Sequence, residues 1–287
     1  MIVYDFINIK HGVFIMFNHH PPFLRTMAKT SHDMWTKGWA EANGGNLSLR
    51  LSPDELKGES GMEPKNDWQP LSAPLPNLSG AWFLVSGTGR HLRNIALFPE
   101  KNTGLIELDA AGANWRTRWG FEPTGRPTSE LEAHLQTHAV IRETSQDVDH
   151  AVIHTHTPHL IALTYALANL DSAKLTKLLW QMHAECIVGF PQGIEFLPWM
   201  MAGTTAIADA TAAAMRRRKL AIWQFHGVVG VGRNLDAAFG LIDMAEKAAQ
   251  IWFLAMSAGG VQTRLTDAQL LAIARNFKVT PDPLILA

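Results

Sequence analysis

The segment His154-Thr155-His156 carries the strongest chemical signal in this chain. It follows the apolar run 151–153, which predicts a buried β-strand. Because alternate residues of a strand point to the same face, His154 and His156 should project side by side. Two imidazoles with this spacing suit two ligands of one metal ion, although two histidines at a strand end also make ordinary hydrogen bonds. The pair is therefore a candidate metal site.

A third histidine, His226, follows another apolar stretch, 220–225, and precedes Gly227. A glycine at this place allows the backbone to turn close to a site. If the two strands are neighbours, the three histidines form the ligand set of a catalytic zinc site, with one coordination position left open. The spacing does not establish that the strands are neighbours, so a plain strand-terminal role for His226 stays open.

Glu130 is the candidate for proton transfer. Ser129 and Glu132 have the spacing of a capping box, which predicts a helix from here to about Glu143. A carboxylate at the first helical position is favoured by the helix dipole, and this alone would account for Glu130. Near a metal ion, the same carboxylate could act as a general base that removes a proton next to a carbonyl group.

Three segments combine small polar side chains in a way that suits a phosphate group. They cover residues 43–46 (Asn-Gly-Gly-Asn), 86–89 (Ser-Gly-Thr-Gly) and 128–129 (Thr-Ser, at the predicted helix start). Glycine lets backbone N–H groups approach an anion, and helix N-termini favour negative charge. Each segment alone reads as an ordinary turn. Together with a metal candidate, they indicate a site for a phosphorylated small molecule.

Several other reactive side chains fit structural roles better. His134 and His138 are four residues apart on the predicted helix, but Leu135 occupies the position of the glutamate in the HExxH metal motif. Because Cys186 is the single cysteine, an internal disulfide is excluded, which favours a reducing, cytoplasmic setting. Cys186 itself is expected to be a small buried side chain. Glu185 could enter a site as a second carboxylate, but a structural role is favoured there too.

The elements that must position these residues alternate along the chain. The 287 residues are 47% hydrophobic and 18% charged, which is typical of a globular protein, and the net charge of -1 argues against binding nucleic acid through a positive field. The histidines and Pro158 within the uncharged stretch 151–170 argue against a membrane span. The sequence predicts helices at 26–41, after Pro158, at 204–218, 234–256 and 266–276, and strands at 47–51, 81–85, 104–109, 113–119, 151–156, 185–190, 194–196 and 220–225.

Neither a dinucleotide-binding glycine motif after the first strand nor a linker between two cores is present in the sequence. We therefore predict one α/β domain with a central sheet, at 26–287. Residues 1–25 are predicted to be an N-terminal extension, since the apolar run 13–17 is too short for a signal peptide.

Five motifs resemble, in order, those of the class II aldolase and adducin family. They are NGGNLSLR, FLVSGTG, PTSELEAH, VIHTHTPHLIALTY, and FHGVVGVG with FGLIDMAEKAAQ, and the resemblance covers about 26–287. It implies a largely antiparallel sheet flanked by helices, and a homotetramer with sites near subunit interfaces. It also implies one Zn²⁺ per subunit and the reversible cleavage of a sugar phosphate, here L-rhamnulose 1-phosphate, to dihydroxyacetone phosphate and L-lactaldehyde.

The resemblance also implies a role for each candidate residue. The zinc ligands would be His154, His156 and His226, and the catalytic acid/base would be Glu130. Asn43 would contact substrate oxygens near the metal. The phosphate would be held by Asn46, Thr88, Gly89, Thr128 and Ser129. Thr88 stands where serine is expected in the family, and it keeps the hydroxyl group.

Alternatives to this reaction remain at this point. A fuculose-phosphate type aldolase or a sugar-phosphate 4-epimerase would keep the histidines, but the epimerases use a tyrosine, and only Tyr4 and Tyr165 are present here, outside the C-terminal tail. A non-catalytic, adducin-like protein need not retain a complete metal set. A Schiff-base aldolase needs a desolvated lysine, and the strands predicted at 151–156 and 220–225 contain none.

Overall fold

The computed structural model describes residues 6–9, 12–15, 20–57 and 62–286. The strands in these residues are β1 (Phe6–Ile9), β2 (Gly12–Ile15), β3 (Asn46–Leu51), β4 (Gln69–Pro70), β5 (Trp82–Ser86), β6 (Thr103–Leu108), β7 (Asn114–Gly120), β8 (Ala151–Thr155), β9 (Glu195–Leu197), β10 (Leu220–Trp223) and β11 (Gly227–Gly232). The α-helices are α1 (Pro22–Thr36), α2 (Pro99–Asn102), α3 (Leu131–Thr144), α4 (Pro158–Ala166), α5 (Ser172–Met182), α6 (Glu185–Gly189), α7 (Thr205–Met215), α8 (Leu235–Ser257) and α9 (Asp267–Phe277).

Nine of the described strands form one sheet, in the order β4-β7-β6-β5-β3-β8-β11-β10-β9. All neighbouring strands in it are antiparallel except β9 and β10, which are parallel. The expectation of an α/β fold with a largely antiparallel central sheet is confirmed. The strands β3, β8 and β11 lie side by side, so that His154 is directly opposite Asn46 on one side and Val229 on the other.

Helices cover both faces of this sheet, so alternate residues of the central strands are buried on opposite sides. Leu47 and Ile153 belong to the core under α1, α4, α5, α6, α8 and α9. Val152 and Val229 belong to the core under α3 and α7. Since His154 is two residues after Val152, its side chain projects on the side of α3.

The buried carboxylate of Glu246 fixes the start of α4, immediately after the histidine pair. It accepts hydrogen bonds from the backbone N–H groups of His159 (3.0 Å) and Leu160 (2.9 Å) and from Nδ1 of His159 (2.6 Å). The first N–H groups of a helix have no partner within the helix, and a negative charge is favoured there. Helix α8 therefore holds the chain just downstream of His156 in place.

The structure corrects several of the sequence-based elements; for example, the helix predicted at 204–218 ends at Met215, and the strand predicted at 220–225 ends at Trp223. The strand expected at 185–190 is the short helix α6, because Cys186 and Ile187 pack into the core and Cys186 contacts α8 at the carbonyl of Met244. The helix expected at 26–41 begins at Pro22 and ends at Thr36. Gly38, which follows, has a φ of +74°, and a positive φ is incompatible with a continuing helix.

The capping box expected at Ser129 is absent from the structure. The N-cap of α3 is Glu130, whose side chain makes no capping hydrogen bond. Glu132 instead accepts hydrogen bonds from the backbone and hydroxyl of Ser72, so its carboxylate holds the loop between β4 and β5.

The predicted division between extension and domain at residue 25 lies inside α1, and Phe23 and Leu24 are buried in the core. Much of the predicted extension lies outside the described residues. The residues described before α1 include the strands β1 and β2, which pair antiparallel. In the described part of the chain, no helix is both long and apolar enough to cross a membrane.

Candidate active site

The three candidate histidines meet at one end of the central strands. His154 is on β8, His156 follows its last residue, and His226 lies in the turn between β10 and β11. The ring centroids are 5.2 Å apart for His154 and His156, 5.0 Å for His154 and His226, and 5.1 Å for His156 and His226. One ring nitrogen of each lies within 4.8 Å of the others. Because β11 pairs with β8, the two histidine-bearing segments are neighbours.

Hydrogen bonds at Nδ1 orient two of these rings. Nδ1 of His154 donates to the carbonyl oxygen of Val228 (3.2 Å), and Nδ1 of His156 donates to Oε1 of Glu41 (2.6 Å). A neutral imidazole that donates from Nδ1 has an unprotonated Nε2, which is the form that binds a metal. The indole of Trp223 stacks on His154 at 4.4 Å between ring centroids and fixes the plane of that ring.

These residues fit a divalent metal ion. Nε2 of His154 is buried and has no hydrogen-bond partner among the described residues. Burial, with a smaller effect of His156 and His226, lowers the pKa of His154 well below its ordinary value. Burial, again followed by the effect of His156, lowers the pKa of His226. Both rings are therefore held neutral at physiological pH, as metal ligands must be.

Two glycines are required by the close approach of these rings. A Cβ at Gly44 would lie 2.9 Å from Cε1 and Nδ1 of His156. A Cβ at Gly227 would lie 2.6 Å from the carbonyl oxygen of Thr155 and 2.8 Å from Cε1 of His154. Such contacts are far below van der Waals separation, so the absence of a side chain at both positions is a condition for the histidine cluster.

Glu130 lies beside the histidines, with its side chain 10% exposed. Its Oε2 is 4.0 Å from Nε2 of His154 and accepts a hydrogen bond from Nδ2 of Asn46 (2.9 Å). The hydroxyl of Thr128 accepts a weak hydrogen bond from the backbone N–H of Glu130 (3.3 Å). Glu130 is the N-cap of α3. The sequence pattern had placed it one position later, at the first helical residue.

A cavity of about 190 Å³ brings the predicted site residues together. It is lined by Asn43, Asn46, Thr88, Gly89, Thr128, Ser129, Glu130, His154, His156 and His226, together with Gly44, Gly45 and Gly87. Among the described residues no lysine or arginine lines it, so a phosphate here would depend on hydroxyl, amide and backbone donors and on a bound cation. A larger cavity, of about 600 Å³, lies beside residues 216–219 and contains none of these side chains.

The structure adds residues that the sequence analysis did not assign to the site. Glu41 and Trp223 contact the histidines directly. Glu41 is only two residues before Asn43, which is the one signal that could have pointed to it. His134 and His138 are buried and do not line the cavity, in agreement with the structural role favoured for them, and Glu185 does not line it either.

Comparison with known proteins defines the class of this site. A family model described as the class II aldolase and adducin N-terminal domain matches residues 25–253. The rhamnulose-1-phosphate aldolase of Pectobacterium carotovorum is 43% identical over 260 residues, which are 90% of this chain and 94% of that protein. The rhamnulose-1-phosphate aldolase of Yersinia pestis is 44% identical over 266 residues, with the same coverage.

The fold comparison agrees with the sequence comparison. The crystal structure of a sugar-phosphate aldolase from Thermotoga maritima superposes with a TM-score of 0.70 at 26% identity, and covers 83% of this chain and 96% of that chain. The chain belongs to the class II aldolase and adducin family. Within that family it is an enzyme, a class II aldolase, with a histidine cluster able to hold a metal ion.

Replacing His154 should remove the metal. In His154→Ala we expect metal affinity to fall by more than the roughly 10- to 100-fold that the loss of an outer-shell partner causes. The measurement is metal content after loading with added zinc and gel filtration. The matched control is His32→Ala, which removes an exposed histidine of α1 outside the cavity and should keep full occupancy. Full occupancy in both variants would contradict the assignment of His154 as a ligand.

Proposed function

We propose that this protein is a zinc-dependent aldolase that reversibly cleaves L-rhamnulose 1-phosphate to dihydroxyacetone phosphate and L-lactaldehyde. The observation that carries the proposal is the convergence of His154, His156 and His226 with Glu130 at one cavity. The names of the two relatives described above, both more than 40% identical, support the choice of substrate. Zinc is the metal that a set of three histidines with an open position favours.

The chemistry needs one electrophile and one proton carrier. A divalent ion held by the three histidines supplies a Lewis acid for the carbonyl group of the ketose. In cleavage Glu130 takes the proton of the C4 hydroxyl, the bond between C3 and C4 breaks as C4 becomes the aldehyde carbon, and Glu130 returns the proton to the electron pair left on C3. In synthesis Glu130 removes the same proton from dihydroxyacetone phosphate. Its Oε2 is engaged by Asn46, so we assign the proton transfer to Oε1, which no donor among the described residues contacts.

The polar rim of the cavity would position the phosphorylated end of the substrate. Thr88 and Gly89 follow β5, and Thr128 and Ser129 precede α3. The backbone of Thr88 bonds to Arg126, and that of Thr128 bonds to Ser86, so the two segments run side by side. We assign the phosphate to these two segments and Asn43 to the substrate oxygens nearer the metal. Asn46 also lines the cavity; one of the two hydrogens on its amide nitrogen is given to Glu130, and its expected contact with the phosphate stays a proposal.

The direct test is an assay of the purified protein with L-rhamnulose 1-phosphate. We expect triose phosphate to be released, to stop after treatment with a chelator, and to resume when zinc is added back. L-Fuculose 1-phosphate serves as the comparison substrate and should be cleaved more slowly. Isomerised substrate without triose phosphate would favour an epimerase, and activity that survives the chelator and is trapped by borohydride would favour a Schiff-base enzyme.

Glu130→Gln should leave the metal bound and lower kcat by about 100- to 10,000-fold, which is the typical contribution of general acid–base catalysis. The amide keeps the size of the side chain but cannot carry the proton. Turnover and zinc content are measured on the same preparation. Unchanged kcat at full occupancy would refute the role assigned to Glu130.

We further propose that the enzyme is a homotetramer, and exposed aromatic side chains around the turn that carries His226 support self-association. The rings of Tyr165 and Phe225 contact each other at 4.5 Å between centroids, and the two residues are 69% and 41% exposed. Trp199, which donates its backbone N–H to the side chain of Gln224, is 58% exposed. Large exposed apolar patches mark interaction surfaces. Cytoplasmic location and the absence of nucleic-acid partners stay predictions.

Light scattering coupled to gel filtration tests the assembly. We expect a molar mass four times the 31.7 kDa of the chain. A monomer that is fully active in the same buffer would contradict the tetramer, without affecting the assignment of the histidines.

A further inference from the structure

Two rows of polar side chains face each other and lead from the cavity, where Glu130 and Asn46 lie, into the interior. One row is on α3, where His134 and His138 follow Glu130 at intervals of four residues, about 6 Å along a helix. The other is on β3, where Asn46 and Ser48 are two residues apart, about 6.6 Å along a strand. Because these two spacings nearly match, the side chains of Asn46 and Ser48 on β3 fit between those of Glu130, His134 and His138.

A continuous set of hydrogen bonds joins the two rows. Nδ2 of Asn46 contacts Oε2 of Glu130 (2.9 Å), and Oδ1 of the same amide makes a short hydrogen bond to Nε2 of His134. The hydroxyl of Ser48 contacts Nδ1 of His134 (2.6 Å) and Nε2 of His138 (2.8 Å). The ring of Phe83 lies against His138, with 4.9 Å between ring centroids, and closes the far end.

The chemistry of each group fixes the direction of every bond in this chain. A carboxylate only accepts, so the amide nitrogen of Asn46 donates to Glu130 and its oxygen must accept from Nε2–H of His134. A neutral His134 protonated at Nε2 has a bare Nδ1, which accepts the single hydroxyl proton of Ser48. The oxygen of Ser48 then accepts from Nε2–H of His138. The donors therefore all point from His138 towards Glu130.

Burial keeps both histidines neutral, as this arrangement requires. His134 is 2% exposed and His138 and Ser48 are fully buried. Burial lowers the pKa of His134 to about 4, with Glu130 opposing the shift, and it also lowers the pKa of His138 well below its ordinary value. A protonated His134 would need an acceptor at Nδ1, and Ser48 would then have to reverse its bonds. The buried site disfavours this state.

We infer that His134, Ser48 and His138 act as positioning residues, which hold the amide of Asn46 with its N–H towards Glu130 and thereby aim the catalytic carboxylate. The inference rests on the acid/base role proposed for Glu130. Without the chain, the amide of Asn46 is free to rotate and to present its oxygen to Glu130, which would repel the carboxylate. His134, His138 and Ser48 do not line the cavity, so they act on Glu130 through Asn46.

Ser48→Ala tests the inference, because it removes the hydroxyl that fixes the protonation of His134. We expect kcat to fall by about 10- to 100-fold, the range that a misplacement of about 1 Å causes, with KM and zinc content unchanged. The exchange of the C3 proton of dihydroxyacetone phosphate with solvent should slow by the same factor, since Glu130 is the only proton carrier that the proposed mechanism assigns to it.

The matched control is Thr137→Val, on α3, the helix that carries His134 and His138. Thr137 is fully buried and its hydroxyl has no hydrogen-bond partner in the described part of the chain, so its removal should change kcat by less than about twofold. Equal kcat for Ser48→Ala and Thr137→Val would overturn the inference. So would a fall in kcat for Ser48→Ala that is accompanied by a matching loss of zinc, since the effect would then be structural.

Neutron diffraction from the zinc-loaded wild-type enzyme provides a readout that does not depend on whether Ser48→Ala folds. We expect hydrogen on Nε2 and none on Nδ1 of His134, with the hydroxyl of Ser48 directed to Nδ1. Hydrogen on Nδ1 of His134 would overturn the inference. If the wild-type enzyme neither cleaves the sugar phosphate nor exchanges the C3 proton, the proposed function fails, and the proton positions still decide whether the chain is ordered as inferred.

Discussion

The bare Nε2 of His154 is the constraint on which the rest of the site depends. A buried acceptor without a partner costs about 1–3 kcal/mol. Nε2 is such an acceptor here, because the ring carries its proton on Nδ1, which donates to the backbone carbonyl of Val228. A cation shared with His156 and His226 would offset that cost, because it would give the buried nitrogen a partner stronger than water. The stacked Trp223 and the absence of a side chain at Gly227 hold the ring at the cavity, within reach of His156 and His226.

The antiparallel order of the sheet creates this arrangement. With β8 between β3 and β11, one strand brings Asn46 next to His154 and the other brings the turn that carries His226. Helix α3 lies on the same side and presents Glu130 at its N-terminus. The metal candidate, the proposed proton carrier and the amide that contacts it are thus each fixed by a different element. The geometry at the reacting atoms depends on tertiary packing, and no single loop sets it.

The sequence was sufficient to predict the histidine pair and the fold class, because local periodicity determines which side chains share a face. The alternation around His154 and His156 predicted a ligand pair, and the fold class followed from the interspersed strands and helices. Sheet order is non-local, so the sequence could not place His226 beside the pair without the family resemblance. The same limit hid the contact of Glu41 with His156 and the partner of His134 on β3. At 185–190, burial against α8 overrode the β propensity of the residues.

X-ray absorption at the zinc edge of the purified, zinc-loaded protein tests the central claim most directly. If the three histidines bind one ion, the spectrum will show nitrogen and oxygen neighbours at about 2.0–2.1 Å, with the outer-shell scattering of three imidazole rings. A sulfur neighbour at about 2.3 Å, or scattering from fewer than three imidazoles, would contradict it.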